Sequence, residues 1–512
     1  MEILLLLFLS ISAFIALKLI LPKSHSNKKL PPGPPSIPFL LNFIWQRKSI
    51  FDVEPLLREL HAKHGSIISV NIGFRPCIFI ADSRVAHRAL IQNGAAFADR
   101  PPAVDPNILF TCNQHNISSA PYGNFWRLLR RNLSSEILHP SRVKLFAPAR
   151  RWVLGILFEK LETQREANEG ITVVVESFQF AMFCLLGLMC FGEKLEEKTI
   201  IDIQVLESEM ILSFTKFPIF AFFPKIMKLL FRKRWMEYVE MRRKLEEIFI
   251  PLIRARRDND KKKSFDFSYV DSILDLEIQE EEQERKLTED EMVSICSEFL
   301  TAGIDTTTTP LQWIMANLVK RQEVQARLFQ EMAAVVGDER GEIQEEDLQR
   351  MPYLKAVVME GLRRHPPGHF VLPHAVKDDI EFDGYSIPKG AEVNFLVSEI
   401  GRDAAAWKEP MEFRPERFLE GGEGEDVDIT GSREMKMIPF GAGRRMCPGY
   451  GLAMLHLEYF LANLVWKFEW KAVEGEEVDM AEELSFTVVM KNPLRARIFP
   501  RRNKSATGTF VS

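Results

Sequence analysis

Of the six cysteines in the chain, Cys447 is the one set among residues suited to reactive chemistry. It lies in Phe440-Gly441-Ala442-Gly443-Arg444-Arg445-Met446-Cys447-Pro448-Gly449, a glycine-rich loop with a basic flank. A neighbouring cation and the start of a following helix both favour a thiolate over a thiol, so the sequence predicts a lowered Cys447 pKa. The glycines let backbone lie close against a flat ligand. The other five, Cys77, Cys112, Cys184, Cys190 and Cys296, are scattered without any Cys-x-x-Cys pair, and the reading for them is small core residues. Neither zinc nor a disulfide framework fits that spacing, and dispersed thiols suit a reducing compartment.

A second group is Asp305-Thr306, which comes after Ala302-Gly303-Ile304 in an apolar segment. A carboxylate there is costly unless partnered, so it calls for a hydrogen-bonding neighbour or a proton-handling role. Pro310 has no N–H and leaves the carbonyl of Thr306, four residues back, without its helical donor, which loosens the helix beside the acid. Two further pairs have helical spacing: Trp126 with Arg130, and Glu360 with Arg363.

These residues need elements to position them. Thr288-Glu289-Asp290-Glu291 forms a Thr-x-x-Glu capping box, which should start a long helix running through Ile295–Leu318, apolar on most sides and therefore central. Ile67–Val70 and Cys77–Ile80 flank a turn-like Asn71-Ile72-Gly73 and read as a hairpin; most of the remainder has helical period. Ahead of the long helix lie a basic run (Arg254 to Lys263) and an acidic run (Glu277 to Glu284), both read as solvated loop and helix surface. Phe217–Phe231 is aromatic and dotted with lysines, suited either to core or to a membrane interface.

At the front, Ile3–Leu21 is apolar and long enough to cross a bilayer. Lys23, Lys28 and Lys29 come next and place that side in the cytoplasm. Prolines 31, 32, 34, 35 and 38 then give an extended connector. The expected organisation is a membrane anchor at 1–22, a basic, proline-rich hinge at 23–38 and one large unit from 39 to 512. With a net charge of -5, 46% hydrophobic and 27% charged residues, the composition supports a large core and carries no global signal for nucleic acid.

The cysteine loop resembles the haem-binding loop of the cytochrome P450 family, Phe-x-x-Gly-x-Arg-x-Cys-x-Gly, at Phe440, Gly443, Arg445, Cys447 and Gly449. The resemblance implies a mainly α fold with small β-sheets, the cytochrome P450 fold, preceded here by the N-terminal transmembrane helix. It implies haem b held by the Cys447 thiolate as the metal ligand, with Arg445 on a propionate and Phe440 shielding the sulfur. Ala302 to Thr307 resembles the family's oxygen-activation motif, which gives Thr306 and Asp305 catalytic roles in oxygen activation and proton delivery, and lets Gly303 leave room for oxygen. Trp126 and Arg130 resemble the family's Trp-x-x-x-Arg helix at the propionates, and His374 occupies the place where many plant members carry a histidine. Glu360, Arg363 and Arg417 resemble the structural Glu-Arg-Arg triad.

The activity this resemblance implies is that of a monooxygenase, using O2 and electrons from NADPH to oxidise a small, largely apolar plant metabolite. The wording of Phe97–Pro102 (FADRPP) and Pro121–Arg131 (PYGNFWRLLRR) is similar to plant microsomal members. The chain carries no flavin or nicotinamide fingerprint, so the resemblance implies NADPH-cytochrome P450 reductase as partner, with cytochrome b5 as a second, on a basic face of Lys436, Arg444, Arg127 and Arg131. Phe110, Phe299, Phe370, Val371, Leu372 and Phe486 are expected to face the substrate. The expected location is the endoplasmic reticulum membrane, single-pass and in contact with lipid, with the catalytic unit in the cytosol. A haem-thiolate isomerase or dehydratase and a tethered haem-binding protein are the rival readings.

Overall fold

Elements are numbered along the chain in the computed structural model, which describes residues 29–34, 54–72, 75–215, 219–221, 224–258, 265, 267–280, 283–337 and 340–501. Helix α1 (Glu54–His64) leads into the hairpin β1 (Ile67–Ile72) and β2 (Arg75–Ile80). Helices α2 (Asn124–Asn132) and α3 (Ala147–Ala167), strand β3 (Ile171–Val173), then α4 (Val174–Phe191), α5 (Glu197–Thr215) and α6 (Arg232–Arg257) continue the chain. Next come α7 (Glu289–Lys320), α8 (Gln322–Val336), α9 (Pro352–Arg364), β4 (His374–Ala375) and β5 (Glu392–Phe395). The chain closes with α10 (Tyr450–Lys467), β6 (Phe468–Ala472), β7 (Glu482–Leu484), β8 (Val488–Met490) and β9 (Arg495–Pro500). The architecture is mainly helical with small sheets, as expected.

Helix α7 is the axis of the fold. The capping box is formed in both directions, the Thr288 hydroxyl accepting from Glu291 N and the Glu291 carboxylate accepting from Thr288 N. Despite Pro310 the helix runs unbroken for 32 residues, because neighbours on all sides hold it. Thr309 is hydrogen-bonded to Thr487, and the Trp313 indole N–H donates to the Val488 carbonyl, 2.7 Å. Against α7 packs α4, which is long and apolar enough to span a membrane by composition yet is buried within the main core between α3 and α7. Ile3–Leu21, by contrast, lies outside the described residues.

Two sheets matter for the site. One has the order β1-β2-β5-β4, with β2 and β5 parallel (Cys77 opposite Glu392) and the other neighbours antiparallel. The other, β7 with β8, presents its turn toward α7. The described middle of the expected hinge, residues 31–33, is docked on the body: Ser69 donates its N–H to Pro32 O and its hydroxyl to Pro31 O, and a side chain at Gly33 would meet the Ser69 carbonyl. The acidic run is not free surface either. Glu277–Glu280 and Gln283–Lys286 pair as a short hairpin, with Ile278 buried and Arg285 bonded to Glu291. Four of the five remaining cysteines are buried, while Cys112 is half-exposed in a strained turn.

Behind the cysteine loop the expected triad is closed and fully buried. Arg363 pairs with Glu360 (Nε to Oε2, 2.6 Å), and Arg417 Nε reaches Glu360 Oε1 at 3.2 Å. Remaining donors are taken by Gly401 O and Pro410 O (from Arg363) and Glu409 O (from Arg417), so no charge is left unsolvated.

Candidate active site

Gly443–Arg445 forms one tight 3-10 turn ahead of the cysteine. Gly443 has φ +71°, and a Cβ there would lie 2.1 Å from the Leu90 carbonyl oxygen, so only glycine lets the loop seat on that neighbouring backbone. Cys447 N donates to Phe440 O at 2.9 Å, which folds the loop back on itself immediately before α10. The Gly449 amide favours the charged form of the sulfur, and Phe440 stands edge-on to Tyr450. Burial pushes the Cys447 thiol up, against the pull of Gly449 and Arg130. That reverses the pKa expected from the sequence. The cations next to Cys447 in sequence point elsewhere: Arg444 donates to the Tyr122 hydroxyl, and Arg445 to Ala98 O and Ala120 O. A thiolate at this position therefore needs a positive centre at the sulfur itself.

Beside the loop stands a cluster of cations. Arg445 lies over the Trp126 ring at 4.5 Å, and the Trp126 N–H donates to Ile117 O. Arg100, which the motifs alone do not single out, donates to the carbonyls of Ser118, Leu372 and Pro373. Arg130, on the buried face of α2, makes no ion pair or hydrogen bond among the described residues. No carboxylate lies within ion-pair distance of Arg100, Arg130 or Arg445 in the described part of the chain. Desolvation, with mutual repulsion, lowers Arg100 to about 9 and Arg445 to about 10, and burial lowers Arg130. His374 is buried beside them, its Nδ1 2.6 Å from Phe97 O, and its pKa falls to about 3 through burial and the two arginines. Asp99 and Glu298 offset the lowering of Arg100 and Arg445 from a distance, but guanidiniums partly withdrawn from water with no carboxylate in contact fit an acidic ligand. Trp126, Arg130, His374 and Arg445 are thus brought together.

On α7 the one residue that the buried middle of the helix leaves open is Ala302, and Thr306 donates its hydroxyl to the Ala302 carbonyl at 2.6 Å. Asp305 is turned to the side, where Gln179 of α4 donates to it at 2.8 Å and Gln204 of α5 donates in turn to Gln179. Burial raises the Asp305 pKa, opposed by the Gln179 amide. Gly303 does not face an open chamber: a Cβ there would lie 2.6 Å from Leu186 Cδ1, so its smallness serves the contact of α7 with α4.

Of the expected substrate-facing residues, Phe110 is buried against Phe214 and Tyr238, Phe299 is tilted on Tyr269, and Phe370 stands edge-on to Phe79. Leu372 is exposed. Arg127, Arg131 and Arg444 are exposed on one side of the cysteine loop and α2, whereas Lys436 is turned inward to Glu423 O and so leaves the expected basic face.

A cysteine with no other His, Cys, Asp or Glu gathered around it among the described residues cannot chelate a free ion. It suits a metal whose remaining ligands come from a flat acidic macrocycle, and the guanidinium cluster fits the acid groups. Comparison with known proteins agrees. The family model described as Cytochrome P450 matches residues 31–498. The chain is 50% identical to Cytochrome P450 89A9 of Arabidopsis thaliana, over 98% of this chain and 100% of that protein. It is 30% identical to geraniol 8-hydroxylase of Catharanthus roseus, over 92% and 94%. In fold it resembles a zebrafish cytochrome P450 solved with progesterone, with a TM-score of 0.73, 22% identity, and 87% and 99% of the two chains covered. On the loop, the helix geometry and these likenesses, the chain belongs to the cytochrome P450 family, whose members are haem monooxygenases.

Proposed function

We propose that this protein oxidises a small, largely apolar plant metabolite at a haem b whose iron is held by the Cys447 thiolate. The observation that carries the reading is the pairing of one inward cysteine with a half-buried set of cations that no carboxylate of the described chain touches: Arg100, Arg130 and Arg445, with His374 beside them. Arg130, Arg445, Trp126 and His374 would hold the propionate edge. Gly443 and Gly449 shape the loop beneath, and Phe440 keeps water from the sulfur. When bound, haem would supply the redox chemistry by which one atom of dioxygen enters the substrate while the other, with two electrons and two protons, leaves as water.

The residues around it handle protons. The Thr306 hydroxyl rests on Ala302 O and, by rotation, can offer its hydrogen to the open face of α7. Asp305, with a raised pKa and a Gln179 amide on one oxygen, can take a proton from the α4–α5 side and release it toward Thr306. Electrons reach the site from NADPH through a reductase docked on Arg127, Arg131 and Arg444, with cytochrome b5 as a second donor. The body works as the unit 39–512 on the cytosolic face of the endoplasmic reticulum, tethered by the span at 1–22 through the segment 23–38.

The test is the carbon monoxide difference spectrum of the reduced protein. A strongly red-shifted Soret band that is lost in Cys447→Ala is the expected result; a band typical of histidine ligation, or one that survives the substitution, refutes it. Oxygen-dependent NADPH consumption then separates a monooxygenase from a haem-thiolate isomerase.

A further inference from the structure

The loop between β2 and α2 carries Phe110 and Ile117, both buried in the main core beside α7. Between them the backbone takes the left-handed conformation at three successive residues with side chains: Cys112 at φ 47°, Asn113 at 58° and Gln114 at 65°. Each such residue costs free energy, and the loop keeps the shape only if its surroundings enforce it. Gln114 supplies part of that: its side chain accepts from Ala103 N and donates to the carbonyls of Pro101 and Ser119.

The rest comes from one face of α7. Glu291, Ser294 and Glu298 stand at i, i+3 and i+7 and so share that face. Glu291 pairs with His115 at 2.7 Å, and Ser294 donates to Phe110 O at 3.0 Å. Glu298 takes both adjacent amides of the loop, Ile117 N at 2.8 Å and Ser118 N at 2.6 Å. One turn further along the same face is the open Ala302, and one more is Thr306. The peptide that Glu298 grips is also gripped from behind, since Ile117 O accepts from the Trp126 indole and from Arg445, and Ser118 O from Arg100.

We propose that Glu298 is a positioning residue that clamps the strained loop to the helix carrying Thr306 and thereby sets how bulky a ligand the site admits. The inference rests on the reading of the site as a haem chamber, but its core, the clamp, does not need the haem. Glu298 acts through Ile117 and Ser118 and touches no reacting atom. A carboxylate with two oxygens is required because two neighbouring N–H groups must be met at once. Glutamine keeps one acceptor and alanine none.

The experiment compares full-length, haem-loaded wild type with Glu298→Gln and Glu298→Ala. Hydrogen–deuterium exchange is followed over peptides covering 110–120, and the iron is titrated optically with imidazole as a small probe and 4-phenylimidazole as a bulky one. The clamp predicts at least tenfold faster exchange at Ile117 and Ser118 in Glu298→Ala, an intermediate rate in Glu298→Gln, an unmoved carbon monoxide band, and at least a fivefold change in the ratio of the two Kd values. Unchanged exchange overturns the clamp. Faster exchange with an unchanged Kd ratio overturns its role in size selection. Should Glu298→Ala not accumulate, Glu298→Gln with Ser294→Ala as comparison decides the same two points. A wild type whose spectrum responds to neither imidazole would refute the haem reading, and the exchange rates would still judge the clamp.

Discussion

Removing one unpaired cation from the site should affect the protein with and without its cofactor in opposite directions, and Arg130→Met is the substitution that isolates this. Arg100 and Arg445 give the scale. Lowered to about 9 and about 10 from the ordinary 12.5, they represent roughly 5 and 3 kcal/mol of opposition to folding at ~1.4 kcal/mol per pKa unit. The sign comes from linkage: at pH 7 a guanidinium is charged in both folded and unfolded chain, so the penalty is present in full and is relieved only as pH rises above the folded value. Neither can be removed cleanly, because each also satisfies backbone carbonyls. Arg130 satisfies none in the described chain, and being only partly buried it should oppose folding by a smaller amount, on the order of 1 kcal/mol. Arg130→Met should therefore stabilise the haem-free protein by about that much. With haem bound it should forfeit a charge-assisted hydrogen bond to a propionate, about 1.5–3 kcal/mol, or ten- to hundredfold faster haem loss. Haem transfer to apomyoglobin, followed at the Soret band, measures the second quantity, and urea unfolding of the haem-free chain measures the first. Equal destabilisation of both forms would show that Arg130 is a packing residue and would refute the charge argument.

Glu360→Gln breaks the buried triad, leaving Arg363 without a counter-charge and Arg417 with Glu423 alone, and should cost about 3–5 kcal/mol, read as a lowered unfolding midpoint with an unchanged carbon monoxide band. His365, buried and stacked on Trp313, is lowered to about 3 by desolvation. The unfolded chain therefore binds its proton first, and stability should fall by about 2 kcal/mol between pH 6.5 and pH 5, a slope that His365→Phe should flatten. Pro310→Ala restores a donor to the Thr306 carbonyl and should lower the fraction of NADPH electrons recovered in product; unaltered coupling removes Pro310 from the oxygen chemistry. Leu229 and Phe231 are exposed, and changing both to serine in a chain lacking residues 1–28 should weaken partition onto phospholipid vesicles by about tenfold or more.

What could be read from the sequence was what is local. The Thr288–Glu291 box, the Ile67–Ile80 hairpin and the cysteine loop are each encoded within a dozen or so residues, and each is present, though the hairpin strands run on through Asn71 and Ile72, which the sequence alone reads as turn. The misreadings share a cause. Arg444 and Arg445 adjoin Cys447 in sequence, but side-chain direction sends them to Tyr122 and to the Ala98 and Ala120 carbonyls. Gly303 has a neighbour, Leu186, that only the packing of two helices supplies. Arg100 sat in view within Phe97–Pro102, yet its partners come from residues 118, 372 and 373. Glu298 belongs to no motif, and nothing near it in the chain shows that it meets two amides about 180 residues away.

The parallel pairing of β2 with β5 has a consequence for how the molecule is made. Cys77 and its partner Glu392 are 315 residues apart, so at about 5–20 residues per second a ribosome needs roughly 16–60 s to supply the second strand after the first. Through that interval the Arg75–Ile80 strand, whose core residues include Ile78, Phe79 and Ile80, has one edge without a partner. The sheet beside the site thus stays open long after its first hairpin has been made. A chain released before Phe395 would carry an open apolar edge, ready to pair with another unfinished copy.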